Sequence, residues 1–196
     1  GFEGLLVDLL LEPEFAHRLF DFITKARFHW YDQKERYTGI SRTMANLYND
    51  EVAYPILSPD LYTEFVYPYE EQISQYHGGV EYWHSCGNVS PMIPQIRKLS
   101  GIKMFNSGAW TDYRAASNHF ADRIVEFQVP PLEDLFEADE NTMRTKIEQI
   151  VAAVKDYEVN SFYIRAGGIM KYKDWQQDTA KINQWIDICR DVLANA

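Results

Sequence analysis

The hexapeptide Tyr82-Trp83-His84-Ser85-Cys86-Gly87 carries the densest chemistry in this chain of 196 residues. It lies in a predicted strand, where residues two apart project to the same side, so His84 and Cys86 send an imidazole and a thiol into one cavity. Imidazole nitrogen and thiolate sulfur are ligands that zinc accepts, and a catalytic zinc centre takes three protein ligands and keeps a fourth position open. Two ligands do not complete such a centre. The same pair also suits a buried cysteine packed beside a hydrogen-bonded histidine. Asp50, just beyond the first predicted strand, and Glu126, in the strand that closes at Pro130-Pro131, are the carboxylates best placed to supply a third donor. Asp50 equally suits a general acid or an acceptor for a ligand N–H, with a capped loop as the plain alternative. Arg165, at the mouth of the last predicted strand, can grip a substrate carboxylate or phosphate through its planar fork, or form a structural ion pair. Trp83 and Trp110, with Tyr82 and Tyr113, are candidates to floor a pocket for a flat ligand, or simply to fill core. The second cysteine, Cys189, shares a helical stripe with Trp185, Ile188 and Val192 and reads as core. His17, His29, His77 and His119 have no partner pattern and receive no role.

The elements that must position these residues follow from periodicity. Apolar residues from Phe2 to Tyr31 recur at helical spacing and break at Glu12-Pro13, which predicts two helices with a corner. Gly39 to Asn49 suits a strand. Ser58 and Pro59 form a helix start, followed by a stripe of Leu61, Phe65, Tyr69 and Ile73 that ends at Gly78-Gly79. Strands are predicted over Val80–Cys86, Ile102–Asn106, Arg123–Val129 and Val159–Arg165. Helices are predicted over Pro91–Leu99, Tyr113–Phe120, Asp139–Tyr157 and Trp175–Leu193, the third burying Met143, Ile147, Ile150, Val151 and Val154. About five alternations of strand and helix argue for parallel βα units in a single α/β domain over residues 1–196, with the chemistry in the loops that follow the strands.

Composition narrows the function. A hydrophobic fraction of 46% with 24% charged residues is that of a folded globular protein. The 19 basic and 29 acidic residues give a formal charge of −10, and no basic cluster is longer than two, which argues against nucleic acid or an anionic membrane as partner. No apolar stretch reaches membrane-spanning length and the amino end carries no basic region before its apolar run, so a cytoplasmic protein acting on a small molecule is expected. Two cysteines are too few for a disulfide framework.

Three strings stand in an order and spacing that resemble the uroporphyrinogen decarboxylase superfamily: Pro13-Glu14-Phe15-Ala16-His17-Arg18-Leu19; Leu57-Ser58-Pro59 with Phe65 and Pro68-Tyr69; and His84-Ser85-Cys86-Gly87-Asn88. The resemblance implies a (β/α)₈ TIM barrel of which this chain is the carboxyl-terminal portion, about five of eight units. It also implies an open sheet edge that a second copy could cover, giving a homodimer. The H-x-C-G element is similar to that of the corrinoid-dependent methyltransferase branch. There the resemblance implies zinc on His84, Cys86 and a later cysteine near the end of the last strand. That third position reads Arg165-Ala166-Gly167-Gly168 here, without a thiol, which leaves Glu126 or Asp50 to complete the centre. The implied activity is methyl transfer between a corrinoid carried on a partner protein and a thiol or other acceptor. Decarboxylation of uroporphyrinogen, the lyase step of porphyrin biosynthesis, is the alternative, and a non-catalytic barrel that serves as a binding module is a third reading.

Overall fold

Glu12 precedes a proline and sits at φ −133°, ψ 54°, so the first helical run breaks there, into α1 (Phe2–Leu11) and α2 (Pro13–Thr38). The computed structural model describes residues 1–196 and shows five consecutive βα units beyond this corner. They are β1 (Ala45–Tyr48), α3 and α4 (Pro59–Leu61 and Tyr67–His77), β2 (Val80–His84), α5 (Ile93–Ile96), β3 (Ile102–Ser107), α6 (Tyr113–Phe120), β4 (Ile124–Val129), α7 (Glu140–Asp156), β5 (Ser161–Ala166) and α8 (Trp175–Ala194). Ser58, Asp112, Asp139 and Asp174 each accept a backbone N–H from the first turn of the helix that follows. The first strand is shorter than the expected span from Gly39. Gly39 closes α2 in the left-handed conformation, and Arg42 is held by Asp32 on α2 and Tyr76 on α4, so residues 39–44 follow the helices.

The strands pair in chain order, β1-β2-β3-β4-β5, all parallel. Parallel pairing puts every strand's carboxyl end on one rim. One face is apolar and carries the helices: Trp83 stacks on Phe105 and Phe105 on Phe120, with ring centroids 5.5 and 4.0 Å apart, while Val125, Phe127 and Val129 share one buried core with α7 residues Met143, Ile147 and Ile150. Cys189 packs against this core, as its stripe predicts, and burial pushes its thiol up to about 12. The opposite, concave face carries Tyr48, Tyr82, His84, Asn106, Glu126, Gln128, Tyr163 and Arg165, aligned by the register Tyr48–His84, Asn106–Glu126–Tyr163 and Gln128–Arg165.

A π-helical turn over Tyr62–Val66, closed by the Tyr67 N–H on the Tyr62 carbonyl, joins α3 to α4. It inserts one residue and rotates the following helical face by one position. The stripe expected at Tyr69 and Ile73 is therefore replaced by Glu70, Ser74 and His77 among the buried positions. Glu70 lies under the sheet and accepts from Asn49 Nδ2 at 2.6 Å, Tyr62 Oη at 2.6 Å and Trp83 Nε1 at 3.2 Å. Burial pushes its carboxyl up to about 7, against the pull of those three donors. The folded state thus holds this proton more tightly than the unfolded chain, and the stability it contributes is lost as pH rises from about 4.5 to about 7. Between those limits the unaltered protein should lose on the order of 3 kcal/mol more stability than Glu70→Gln. Parallel denaturation profiles of the two proteins across that range would refute the assignment.

Candidate metal centre at the strand ends

Asn49 and Cys86 leave β1 and β2 side by side on the rim, and hydrogen bonds tie the two segments. The Asn49 N–H donates to the His84 carbonyl at 2.8 Å, Ser85 Oγ donates to the Val52 carbonyl at 2.8 Å, and the Tyr54 N–H reaches the Asn88 carbonyl at 2.8 Å. Gly87 allows this approach, because a Cβ there would lie 2.2 Å from the Cβ of Ala53. Gly108, in the loop after β3, does the same from the other side, since its Cβ would lie 2.3 Å from the Ser85 carbonyl oxygen. The glycine of the H-x-C-G string is thus a packing requirement that seats the loop bearing Asp50 on the turn bearing Cys86.

The result brings Asp50, His84 and Cys86 together with one oxygen, one nitrogen and one sulfur atom all within 4.8 Å of one another. His84 Nε2 lies 3.2 Å from Asp50 Oδ1 and 3.3 Å from Cys86 Sγ. The Cys86 N–H donates to Asp50 Oδ1 at 3.2 Å. Tetrahedral zinc with ordinary Zn–N, Zn–O and Zn–S bonds spaces its donors roughly 3.4–3.6 Å apart, so both distances from His84 fit to within a few tenths of an ångström. Burial, then the hydrogen bond and charge of Asp50, raise the Cys86 thiol above its ordinary range. A metal ion would reverse that by stabilising the thiolate directly.

Other residues named from the sequence fall elsewhere. Glu126 is not a donor in this group. It lies across the concave face, where its Oε1 accepts from Tyr82 Oη at 2.6 Å, Asn106 Nδ2 at 2.6 Å and Arg165 Nη1 at 3.2 Å. Burial opposes its charge, yet Tyr82, its neighbour Tyr163 and the Arg165 guanidinium hold the carboxyl below the ordinary range. Tyr82 also lies 3.2 Å from His84 Nδ1, and so stands between Glu126 and the Asp50–His84–Cys86 group. Trp83 floors no pocket. It alternates with Tyr82 and His84, so it points to the helix side, fully buried, with its indole N–H on Glu70. Trp110 is exposed on the rim and lines an open cleft of about 690 Å³ with Asn88, Asp112, Arg114 and Lys146. Arg165 faces the concave side with its side chain 47% exposed. Sequence reasoning passed over Asn106 and Gln128 as site residues, although alternation with Glu126 puts Gln128 on this face and the β3–β4 register sets Asn106 beside Glu126; Tyr82, expected to floor a pocket, donates its hydroxyl to Glu126.

Parallel βα units with a polar cluster of this kind where the strands end are the architecture of (β/α)-barrel enzymes. The family model described as Uroporphyrinogen decarboxylase (URO-D) matches residues 1–191, and the chain belongs to that family. Among solved structures, a methyltransferase from Methanosarcina mazei is similar with a TM-score of 0.64 at 10% identity, over 95% of this chain and 53% of that one. This chain therefore spans about half that enzyme's length, and the likeness is one of fold. No curated protein gives a significant sequence match.

Gly87→Ala should cost about 1–3 kcal/mol through overpacking against Ala53. Ala53→Gly in the same protein should recover most of it, because the new Cβ then meets Ala53 Cα at 3.4 Å. Melting temperatures of the two single variants and the double variant test this, and simple additivity would refute the contact as the cause.

Proposed function

We propose that the protein is a zinc-assisted methyltransferase of the uroporphyrinogen decarboxylase family, with Asp50, His84 and Cys86 as the zinc ligands. The observation that carries the reading is the convergence of one oxygen, one nitrogen and one sulfur donor within 4.8 Å on the catalytic rim. In this reading Asp50 occupies the place of the thiol that the end of β5 lacks. Bound zinc would supply Lewis acidity at an open fourth position, lowering the pKa of an incoming thiol or polarising the heteroatom of a methyl donor. The residues of the chain do the rest. His84 and Cys86 fix the centre to the sheet, and Asp50 closes it from the loop. Arg165 gives one N–H to Glu126 and has others free, so it can hold an anionic group of the small-molecule substrate. The exposed indole of Trp110 offers a flat contact on the same rim for a corrinoid carried by a partner protein.

The family name supports a second reading, decarboxylation of uroporphyrinogen. Against it, the strand residues of the concave face contribute a single cation, Arg165, already paired with Glu126, to a substrate that carries many carboxylates. Conversion of uroporphyrinogen to coproporphyrinogen by the purified protein would establish that reading.

The purified chain should hold close to one equivalent of zinc, and His84→Ala, Cys86→Ser and Asp50→Ala should each reduce it. Less than about a tenth of an equivalent in the unaltered protein would defeat the proposal. With zinc bound, demethylation of a methylated corrinoid in the presence of a thiol, followed by its absorption spectrum, tests the reaction.

A further inference from the structure

Helix α2 is apolar on two opposite sides. Its inner side meets α4 and the π-helical turn: His17 stacks on Phe65, Phe20 tilts against Tyr69, Phe28 stacks on Tyr76 and Tyr31 meets His77 edge-on. Thr24 is buried on the same side. With about 100° of rotation per residue, these five fill one arc of about 80°. The outer side faces solvent, yet it carries Phe15, Phe22, Trp30 and Tyr37, between 44% and 92% exposed. Leu19, Ala26 and Gln33 stand between them, and the whole stripe fills an arc of about 80° opposite the first. A surface helix of a globular protein has one apolar stripe, and a second of this length marks a contact.

The order of the stripe points to its occupant. From Phe15 the steps are 4, 3 and 4 residues to Ala26, then again 4, 3 and 4 to Tyr37, so the stripe reads the same in both directions. Its period is close to 3.6 residues per turn, so it runs nearly straight for about 33 Å. We propose that α2 pairs antiparallel with α2 of a second copy of this chain, about a two-fold axis at Ala26. Phe15 then meets Tyr37 of the other copy, Phe22 meets Trp30, and Leu19 meets the stem of Gln33. The smallest side chain, Ala26, lies where the helices come nearest. Charges on one flank match in the same arrangement: Glu14 falls beside Arg36 of the other copy, and Arg18 beside Asp32, which also holds Arg42. Lys25, nearest the axis on that flank, is held by its own Asp21 at 2.6 Å. Both copies present the same surface, so the contact closes as a dimer. A formal charge of −10 opposes the approach of two copies, and the alternating flank offsets that locally. No residue of the candidate metal centre takes part.

Sedimentation of the full chain at tens of micromolar should give twice the chain mass of 22.9 kDa. Phe22→Asp, at a side chain already exposed, should leave the circular dichroism unchanged and raise the dimer dissociation constant on the order of 100-fold. Glu14→Lys and Arg36→Glu should each weaken the dimer about 3–10-fold, and the two together should recover it, because opposite charges face each other again. Mild oxidation reads the direction of pairing. Ala26→Cys should form a disulfide between copies. Gln33→Cys should not, since an antiparallel pair holds that position about 20 Å from its counterpart. The unaltered protein, with Cys86 and Cys189, sets the background. A monomer at that concentration overturns the proposal. So does a dimer that neither Phe22→Asp nor the single charge variants weaken, which would place the contact elsewhere, as at the open sheet edge. Cross-linking of Gln33→Cys as readily as Ala26→Cys overturns it too, because that result requires parallel helices.

Discussion

The distance between the loop after β1 and the turn after β2 is the constraint on which the candidate centre depends. Strand pairing alone brings Tyr48 beside His84, but Asp50 and Cys86 both lie past the ends of the strands, where no ladder fixes them. Their meeting is set by a steric allowance and by hydrogen bonds. Gly87 leaves room for Ala53, Ser85 Oγ caps the Val52 carbonyl, and the Cys86 N–H takes an Asp50 oxygen. Thr111, in the loop after β3, accepts the Val89 N–H and donates to the Gly87 carbonyl, so the third loop holds the turn from its far side. Each of these bonds satisfies a polar group at a crowded position, where leaving it unpaired would cost about 1–3 kcal/mol.

Two buried glutamates flank this region, one on each face of the sheet, and they show how neighbours set the charge of the same side chain. Both accept hydrogen bonds from three side chains. Those of Glu70 are neutral: Asn49, Tyr62 and Trp83. Those of Glu126 include a guanidinium. Burial dominates at Glu70 and raises its carboxyl; at Glu126 burial is outweighed by the hydroxyls of Tyr82 and Tyr163 and then by Arg165, and the carboxyl is held low. The apolar face therefore carries a group that titrates near neutrality, while the concave face carries a fixed anion.

The elements were largely legible because local signals agreed with the fold. Proline at 13, Ser58 with Pro59, and Asp139 before a clean amphipathic run each mark a helix start where one occurs. The pairing of His84 with Cys86 was legible from spacing, although β2 ends at His84 and the turn, not strand alternation, delivers Cys86. The same alternation assigns Trp83 to the helix side, so its place in the core follows from the rule that puts Tyr82 and His84 on the other face. Glu126 and Asp50 could not be ranked as third donors, because the choice depends on how loop 49–54 lies on the rim. Glu70 had no signature at all. Its burial follows from one π-helical turn, which shifts the face of α4 by a residue and which no spacing in the sequence announces.

The three donors of the centre are not held equally. His84 is seated in a strand, with its side chain 10% exposed, and Cys86 follows two residues later on a turn pinned from both sides. Asp50 stands on a loop with its side chain 59% exposed. Ordering such a residue costs conformational entropy that a strand residue has already lost on folding, so the firmness of the centre is set by what restrains Asp50. Besides the His84 ring at 3.2 Å, the Cys86 N–H holds its carboxylate and, one residue earlier, the Asn49 side chain reaches through to Glu70 beneath the sheet. The Asn49 contact links the loop that bears Asp50 to a carboxylate in the core. It gives the buried Glu70 a role that hydrophobic packing at that position could not fill, because an apolar side chain would leave Asn49, Tyr62 and the Trp83 indole without their common acceptor.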